Sequence, residues 1–365
     1  MKRILFYLGH PAQFHFSKHI IRKLKEDGNE VKILIKTKDI LENLLKEEGM
    51  EYENIQTQQR KNSQKAILLA SLKRTVAVYK KARNWKADIL IGTDSSIAQA
   101  AWLMRKPALT VLEDDVEIIK NLAKLTYPFT TNIVVPEPCR VGKWENKKIP
   151  YYGYMKLAYL HPNYFKPDHK KLEEYNISDK FCLIRLAKLT AHHDAGIKGL
   201  NSTMVNNVIK IASEHGYKTY ISAEDGLDDS LKPYQLKIKN KDIHHIMAFA
   251  SLLISDSQSM SVEAAMLGTP SLRFSDFSGR ISVLEELEQK YKLTFGIKTT
   301  EIQQLLDMTT DFLSDPALKT KFQERRKLML NDKIDVTAFF VWLIENYPES
   351  REVMKQDIEY QKRFK

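Results

Sequence analysis

The chain has 365 residues, enough for two domains that each bury a core. With 43% hydrophobic and 28% charged residues it is not a disordered chain, and no apolar run approaches the ~20 residues that cross a bilayer. The net charge of +11 is concentrated, and it favours an anionic partner.

In chain order, an apolar strand over 2–8 begins at once, without the h-region or small-residue cleavage site of a secretory signal. Cys139 and Cys182 match no metal or redox spacing, so a reducing cytoplasm is the expected compartment. The strand runs into Gly9-His-Pro-Ala-Gln-Phe-His-Phe16 and a helix near 14–27. A glycine at a strand end lets a ligand approach the backbone, and imidazole is the side chain suited to proton transfer near neutral pH. His10 and His15 are therefore candidate catalytic groups, with structural hydrogen bonding as the plain alternative.

Strands near 30–36, 88–92, 108–112 and 132–135 alternate with helices near 38–48, 63–84 and 95–105, which predicts a parallel sheet covered on both faces. No acidic residue falls between Glu53 and Asp88, while Arg60, Lys61, Lys65, Lys73, Arg74, Lys80, Lys81, Arg83 and Lys86 do. Helix 63–84 places Ile67, Leu68, Leu72, Val76 and Tyr79 on one face. It reads either as an ordinary surface helix or as a basic amphipathic helix on an anionic membrane, which would put the protein peripherally on the inner face. Aromatic residues are not interleaved with these charges, so nucleic acid is not an expected partner.

Two further strand ends carry acids. Gly92-Thr-Asp-Ser95 offers Asp94 as a helix cap or a catalytic carboxylate. Val111-Leu-Glu-Asp-Asp115 crowds three carboxylates, with Glu113 first, which either start a solvated helix or supply an acid or base.

The stretch 152–179 has little periodicity. It divides the chain into a first domain over 1–155, a linker over 156–179, a second domain over 180–345 and a closing helix over 346–365. A fresh strand series follows near 181–186, 219–222, 252–254, 270–273 and 293–296. Arg185 ends the first of these, and the loop beyond holds Lys188, His192, His193, Asp194 and Lys198. Arginine and lysine there would neutralise a diphosphate. Adjacent histidines do not converge easily on one ion, so no metal site is expected. His244 and His245 read as surface groups.

The segment Leu252-Leu-Ile-Ser-Asp-Ser-Gln-Ser-Met-Ser-Val-Glu-Ala-Ala-Met-Leu-Gly-Thr-Pro270 is the most informative of all. An apolar strand ends in small hydroxyl residues that open a helix, whose free N–H groups and positive dipole end suit a phosphate. Glu263 on the second turn could reach ribose hydroxyls beyond a diphosphate; the plain alternative is a well-capped helix.

The order of elements, the Gly9–Phe16 loop, Gly92-Thr-Asp-Ser95, Glu113, and Ser255 to Glu263 with Gly268-Thr-Pro270 together resemble the GT-B glycosyltransferase superfamily. Within it the chain is similar to a domain-of-unknown-function family related to the non-hydrolysing UDP-N-acetylglucosamine 2-epimerases and the peptidoglycan N-acetylglucosaminyltransferase. The resemblance implies two Rossmann-like domains with a cleft between them, and a C-terminal helix that crosses back to the first. It places a nucleotide sugar, UDP-linked by expectation, on the second domain. Ser257, Gln258 and Ser259 would bind the diphosphate through backbone N–H groups, Glu263 the ribose, with Arg185 beside the phosphates. The His-Arg-x-Glu-Asn element of the epimerases is absent, and Gln258-Ser259 replaces their glycine pair, which points from epimerisation toward transfer.

The expected function is metal-independent transfer of a sugar to a glycan or lipid-linked acceptor in cell-surface polysaccharide synthesis, without a cofactor. Asp94, Glu113, His15 or His10 would take the acceptor proton. A 2-epimerase or hydrolase using Asp94 and Glu113, and a non-catalytic scaffold, are the alternatives.

Overall fold

A computed structural model describes residues 1–365 except Asp39, 57–63, 188–198 and Asp225, and describes the backbone alone at 64–68. By contacts the chain divides into two compact units, Met1–Tyr159 with Lys333–Lys365, and Leu160–Asp332.

Among the described residues of the first unit, seven strands form one sheet: β1 Arg3–Leu8, β2 Glu30–Lys36, β3 Glu53–Gln56, β4 Ile89–Gly92, β5 Ala108–Val111, β6 Asn132–Pro136 and β7 Lys148–Tyr151. Their order is β3-β2-β1-β4-β5-β6-β7, and the pairs are parallel, with Ile4 opposite both Val31 and Ile89. Strands such as β1 (Arg-Ile-Leu-Phe-Tyr-Leu) are apolar on both faces because helices cover both sides of a parallel sheet. The core joins Leu5, Tyr7, Leu34, Leu90 and Ala108 to Val78, Ala82, Ile97 and Ala101 of the helices Gln64–Trp85 and Ser95–Met104. Gly92 ends β4 where a Cβ would lie 2.9 Å from the Tyr7 carbonyl, so the strand closes tightly on β1 there.

In the second unit the described strands are β8 Phe181–Leu186, β9 Lys218–Ala223, β10 Leu252–Ser255, β11 Ser271–Phe274 and β12 Phe295–Ile297. They run parallel in the order β12-β11-β10-β8-β9. The core packs Cys182, Ile184, Ile221, Leu252, Ile254 and Leu272 against Val205, Val208 and Leu305. Burial pushes the Cys182 thiol up to about 12, as expected of a packing residue.

Each sheet reverses its winding direction once, between β1 and β4 in the first unit and between β8 and β10 in the second. Ligands of open parallel sheets bind at such switch points, outside the carboxyl ends of the strands.

Three readings of the sequence differ from this. Strands β3 and β7 were not expected: both lie at sheet edges, β3 is polar, and β7 carries Pro150, which an edge position tolerates. The expected linker is packed chain over much of its length. Leu172 is buried, the Tyr175 hydroxyl donates to Asp242 at 2.6 Å, and the Asp168 N–H donates to His245 Nδ1 at 3.0 Å. The helix Val336–Glu345, placed by sequence in the second domain, belongs to the first unit. Asp335 caps it by accepting from the Ala338 N–H at 2.9 Å, and its apolar face puts Phe340 edge-on to Phe16 and Tyr151.

Candidate functional site

In the first unit, Gly9 and His10, Asp94, and Glu113 follow the carboxyl ends of β1, β4 and β5, three neighbouring strands at the switch point. Sequence spacing alone had pointed to all three ends.

His10 is the N-cap of the helix Pro11–Glu26: its Nδ1 accepts the Ala12 N–H at 3.2 Å. Pro11 is favourable at the first helical position, where an N–H has no intrahelical acceptor. In that tautomer the ring carries its proton on Nε2, which makes His10 a hydrogen-bond donor toward anything beyond the cap. His15, half-buried one turn on, lies between the rings of Phe14 and Tyr159, each 5.3 Å away.

Asp94 caps the helix Ser95–Met104 by accepting the Ser96 N–H at 3.0 Å, and it also accepts from Arg74 Nε at 3.1 Å. Burial acts to raise its pKa, but Arg74, the Ser96 hydrogen bond and Lys36 outweigh burial and hold the carboxyl below the usual range. Arg74 is buried and also donates to Gln56 Oε1 at 3.1 Å. It was expected among the exposed basic charges of its helix; a carboxylate within reach draws it inward instead. Tyr7 lies below, its phenol pKa raised by burial and by the charge of Asp94.

Glu113 pairs with Lys156 Nζ at 3.2 Å and accepts the Met155 N–H at 2.7 Å. Asp115 is fully buried and accepts the Arg140 N–H at 2.8 Å. Glu113 and Asp115 are thus individually partnered. Lys156 and Arg140 were not foreseen as those partners, because they lie far along the chain.

In the second unit the switch point lies between Arg185 at the end of β8 and Asp256-Ser257 after β10. The helix Gln258–Leu267 starts there. Ser257 is its N-cap, its Oγ facing the Met260 N–H at 3.4 Å, and the Ser261 hydroxyl donates to the Ser257 carbonyl at 3.0 Å. The N–H groups of Gln258 and Ser259 belong to the first turn, which has no acceptors within the helix, and the dipole there is positive. The side chain of Gln258 is held from behind: Nε2 donates to Ser275 Oγ at 2.8 Å, and Oε1 accepts from Arg273 Nη1 at 2.7 Å. Arg273 is fully buried and reaches Glu288 at 3.5 Å. Gly268 ends the helix at φ +68, the left-handed conformation that glycine adopts at a C-terminus.

Glu263 projects from the second turn into a buried position, its Oε2 3.4 Å from His244 Nε2. His244, read from sequence as a surface group, is buried because its neighbouring turn packs on that helix. Arg185 donates to Ser222 Oγ at 2.7 Å and to Glu224 Oε1 at 2.6 Å, so it is braced against β9. Lys188, His192, His193, Asp194 and Lys198 lie outside the described residues.

Asp256 went unremarked in the sequence. It is buried, and it accepts the Ala187 N–H at 2.7 Å and the Leu200 N–H at 3.2 Å. Burial raises its pKa to about 6 against these hydrogen bonds and Arg185. Among the described residues no group of His, Cys, Asp and Glu is arranged to hold a metal, and no helix is long and apolar enough to cross a membrane.

A family model described as Protein of unknown function (DUF354) matches residues 4–342. No functionally curated protein matches the chain. Solved structures share its fold. A putative UDP-N-acetylglucosamine 2-epimerase from Listeria monocytogenes superposes with a TM-score of 0.66 at 12% identity, over 90% of this chain and 95% of that one. The MnaA–UDP co-structure from S. aureus gives 0.67 at 12% identity, over 96% and 98%. The calicheamicin glycosyltransferase CalG4 gives 0.57 at 12% identity, over 95% and 98%. The chain is thus an α/β protein of the two-domain GT-B architecture.

Proposed function

The chain belongs to the family described as Protein of unknown function (DUF354), and from that premise and the geometry above we propose that it is a metal-independent glycosyltransferase with a nucleoside diphosphate sugar as donor. The carrying observation is the helix Gln258–Leu267, which opens at the switch point of its sheet with Glu263 set one turn inside it. A diphosphate fits the first-turn N–H groups of Gln258 and Ser259, and a ribose diol fits the Glu263 carboxylate. Arg185 adds positive charge near the leaving group, so that its departure needs no metal. UDP is the donor nucleotide in this reading.

The first unit binds the acceptor, a glycan or a lipid-linked glycan. His15 takes the proton of the attacking hydroxyl. Asp94 and Glu113, tied to Arg74 and Lys156, orient the acceptor rather than exchange protons, and His10 donates through Nε2. Those two ion pairs also count against an epimerase that uses the carboxylates as free acid and base.

Thermal unfolding with UDP, GDP, CMP and dTDP and their sugar forms tests the donor site. A nucleotide at 100 times its dissociation constant adds roughly 2.7 kcal/mol of stability. One nucleotide should stabilise the wild type and lose its effect in Glu263→Ala; equal affinity in the variant removes the ribose assignment. Incubation of UDP-N-acetylglucosamine in deuterated water should leave the sugar C2 unlabelled, and label there would favour epimerisation.

A further inference from the structure

The helix Gln64–Trp85 buries two polar residues and exposes three large apolar ones. Arg74 and Thr75 face inward with Val78 and Ala82, while Leu69, Leu72 and Val76 are 58%, 53% and 51% exposed. At 3.6 residues per turn Lys73, Lys80 and Arg83 share that outward face. This orientation has a cause. Asp94 draws Arg74 in, and Thr75 donates to Gln99 Oε1 at 2.8 Å, which rotates the apolar row outward.

The apolar surface does not end with this helix. Gln99 also donates from Nε2 to the Leu125 carbonyl at 3.1 Å, so the helix Ser95–Met104 lies between Gln64–Trp85 and Lys120–Thr126. They expose Trp102, Leu103 and Leu125, with the Trp102 ring edge-on to Phe129. Leu103 and Met1 share a hollow with Tyr79 and Arg83. Among the described residues, Leu328 is the one large exposed apolar side chain placed elsewhere. Random scatter of exposed apolar groups is ordinary; their concentration on one face marks an interaction surface.

The charge around the patch selects the partner. None of the three helices contains an acidic residue, and Arg105, Lys106, Lys120 and Lys124 extend the basic rim. Asp88, at the edge of the hollow, is 3.6 Å from Lys106. A second copy would bring like charges together. Nucleic acid would meet an apolar centre with a single exposed tryptophan. An anionic lipid surface offers both an apolar layer and negative headgroups.

We propose that this three-helix face docks on an anionic lipid bilayer, with Leu69, Leu72, Val76, Trp102, Leu103 and Leu125 entering the headgroup boundary and the lysines and arginines around them meeting the charge. The proposal stands on this face alone and is independent of the sugar-transfer reading.

Co-sedimentation of the full chain with vesicles tests it, using phosphatidylcholine alone and phosphatidylcholine with an equal amount of phosphatidylglycerol. Binding is expected to the mixed vesicles, weakly or not at all to the neutral ones, and to fall as salt rises. Lys73→Glu with Lys80→Glu, and separately Leu72→Ser with Val76→Ser and Trp102→Ala, should each lower the affinity about tenfold or more with unfolding temperatures retained. Leu328→Ser should leave it unchanged. No binding to the mixed vesicles overturns the proposal, as does binding that survives both face variants. Lipid-free dimerisation abolished by those variants would also overturn it, by assigning the face to a second copy.

Discussion

The two sheets carry different charges at their strand ends. In the first unit the strand ends carry anions, Asp94 and Glu113, and the chain folds a cation against each, Arg74 and Lys156. In the second unit β8 and β11 carry cations near their ends, Arg185 and Arg273, with a carboxylate against each, Glu224 and Glu288, while the buried Asp256 follows β10. Side-chain charge is thus largely balanced at both. What distinguishes the second unit is the cap: the Gln258–Leu267 helix starts at the neutral Ser257, whereas Ser95–Met104 starts at the anionic Asp94, so the main-chain N–H groups and dipole of the former favour an anion. In the proposed reading the diphosphate therefore goes to the second unit and the acceptor hydroxyls to the first.

Breaking the buried pairs probes that balance, and the largest effect is expected at Arg273. Its guanidinium is fully buried, so Arg273→Ala leaves Gln258 Oε1 without its donor and the Glu288 carboxylate with the Gly296 N–H but without its cation, and opens a cavity. Loss of one member of a buried pair costs about 3–5 kcal/mol, and chemical denaturation should show a drop of that size. A drop under about 1 kcal/mol would mean that the pair contributes little to the second unit.

Arg74→Leu is the counterpart in the first unit, with an expected loss of roughly 3 kcal/mol at neutral pH. Asp94 keeps the Ser96 N–H and some exposure, which softens the effect. The sign with pH follows from the direction of its shift. A carboxyl held below its unfolded value stabilises the fold above that value, and the stabilisation is lost as pH falls through the folded one. The gap between wild type and Arg74→Leu should therefore narrow in acid. A gap that widens on acidification would refute the role given to Arg74.

Asp256 has the reverse sign. Its pKa is raised from 3.8 to about 6, so its protonated form is favoured by the fold, and that contribution is lost as pH rises from about 4 through about 6. The advantage of wild type over Asp256→Asn should shrink across that window by roughly 3 kcal/mol at most, and be flat above it. Unfolding midpoints of the two proteins measured in parallel across pH decide this.

The architecture was legible because parallel strands buried on both faces are continuous apolar runs, and because Gly92 and Gly268 punctuate β4 and the Gln258–Leu267 helix. Sheet edges were not, since β3 and β7 lack such runs. At the site, Asp94, Glu113, Ser257 and Glu263 were legible as polar residues at strand ends and on the first helical turns. Their partners were not. Arg74 lies 20 residues from Asp94, and Lys156 pairs with Glu113 across a distance that no local spacing records. The same blindness made Arg74 look like one more surface cation, and it left open whether Leu72 and Val76 face inward or, as the structure has them, outward.

The smallest expected effect separates the two ways in which the helix start could serve a ligand. Ser257→Ala removes the cap on the Met260 N–H, a long contact at 3.4 Å, and should cost about 1 kcal/mol of stability or less. If the diphosphate is held by the backbone N–H groups of Gln258 and Ser259, UDP affinity should change little, because neither donor moves. If the Ser257 hydroxyl itself bonds a phosphate, affinity should fall about tenfold, the usual scale for a hydrogen bond to a charged group. Titration of UDP into both proteins therefore assigns the anion site either to the main chain, as the comparison of the two switch points requires, or to a side chain of a residue that the sequence had offered for its backbone N–H.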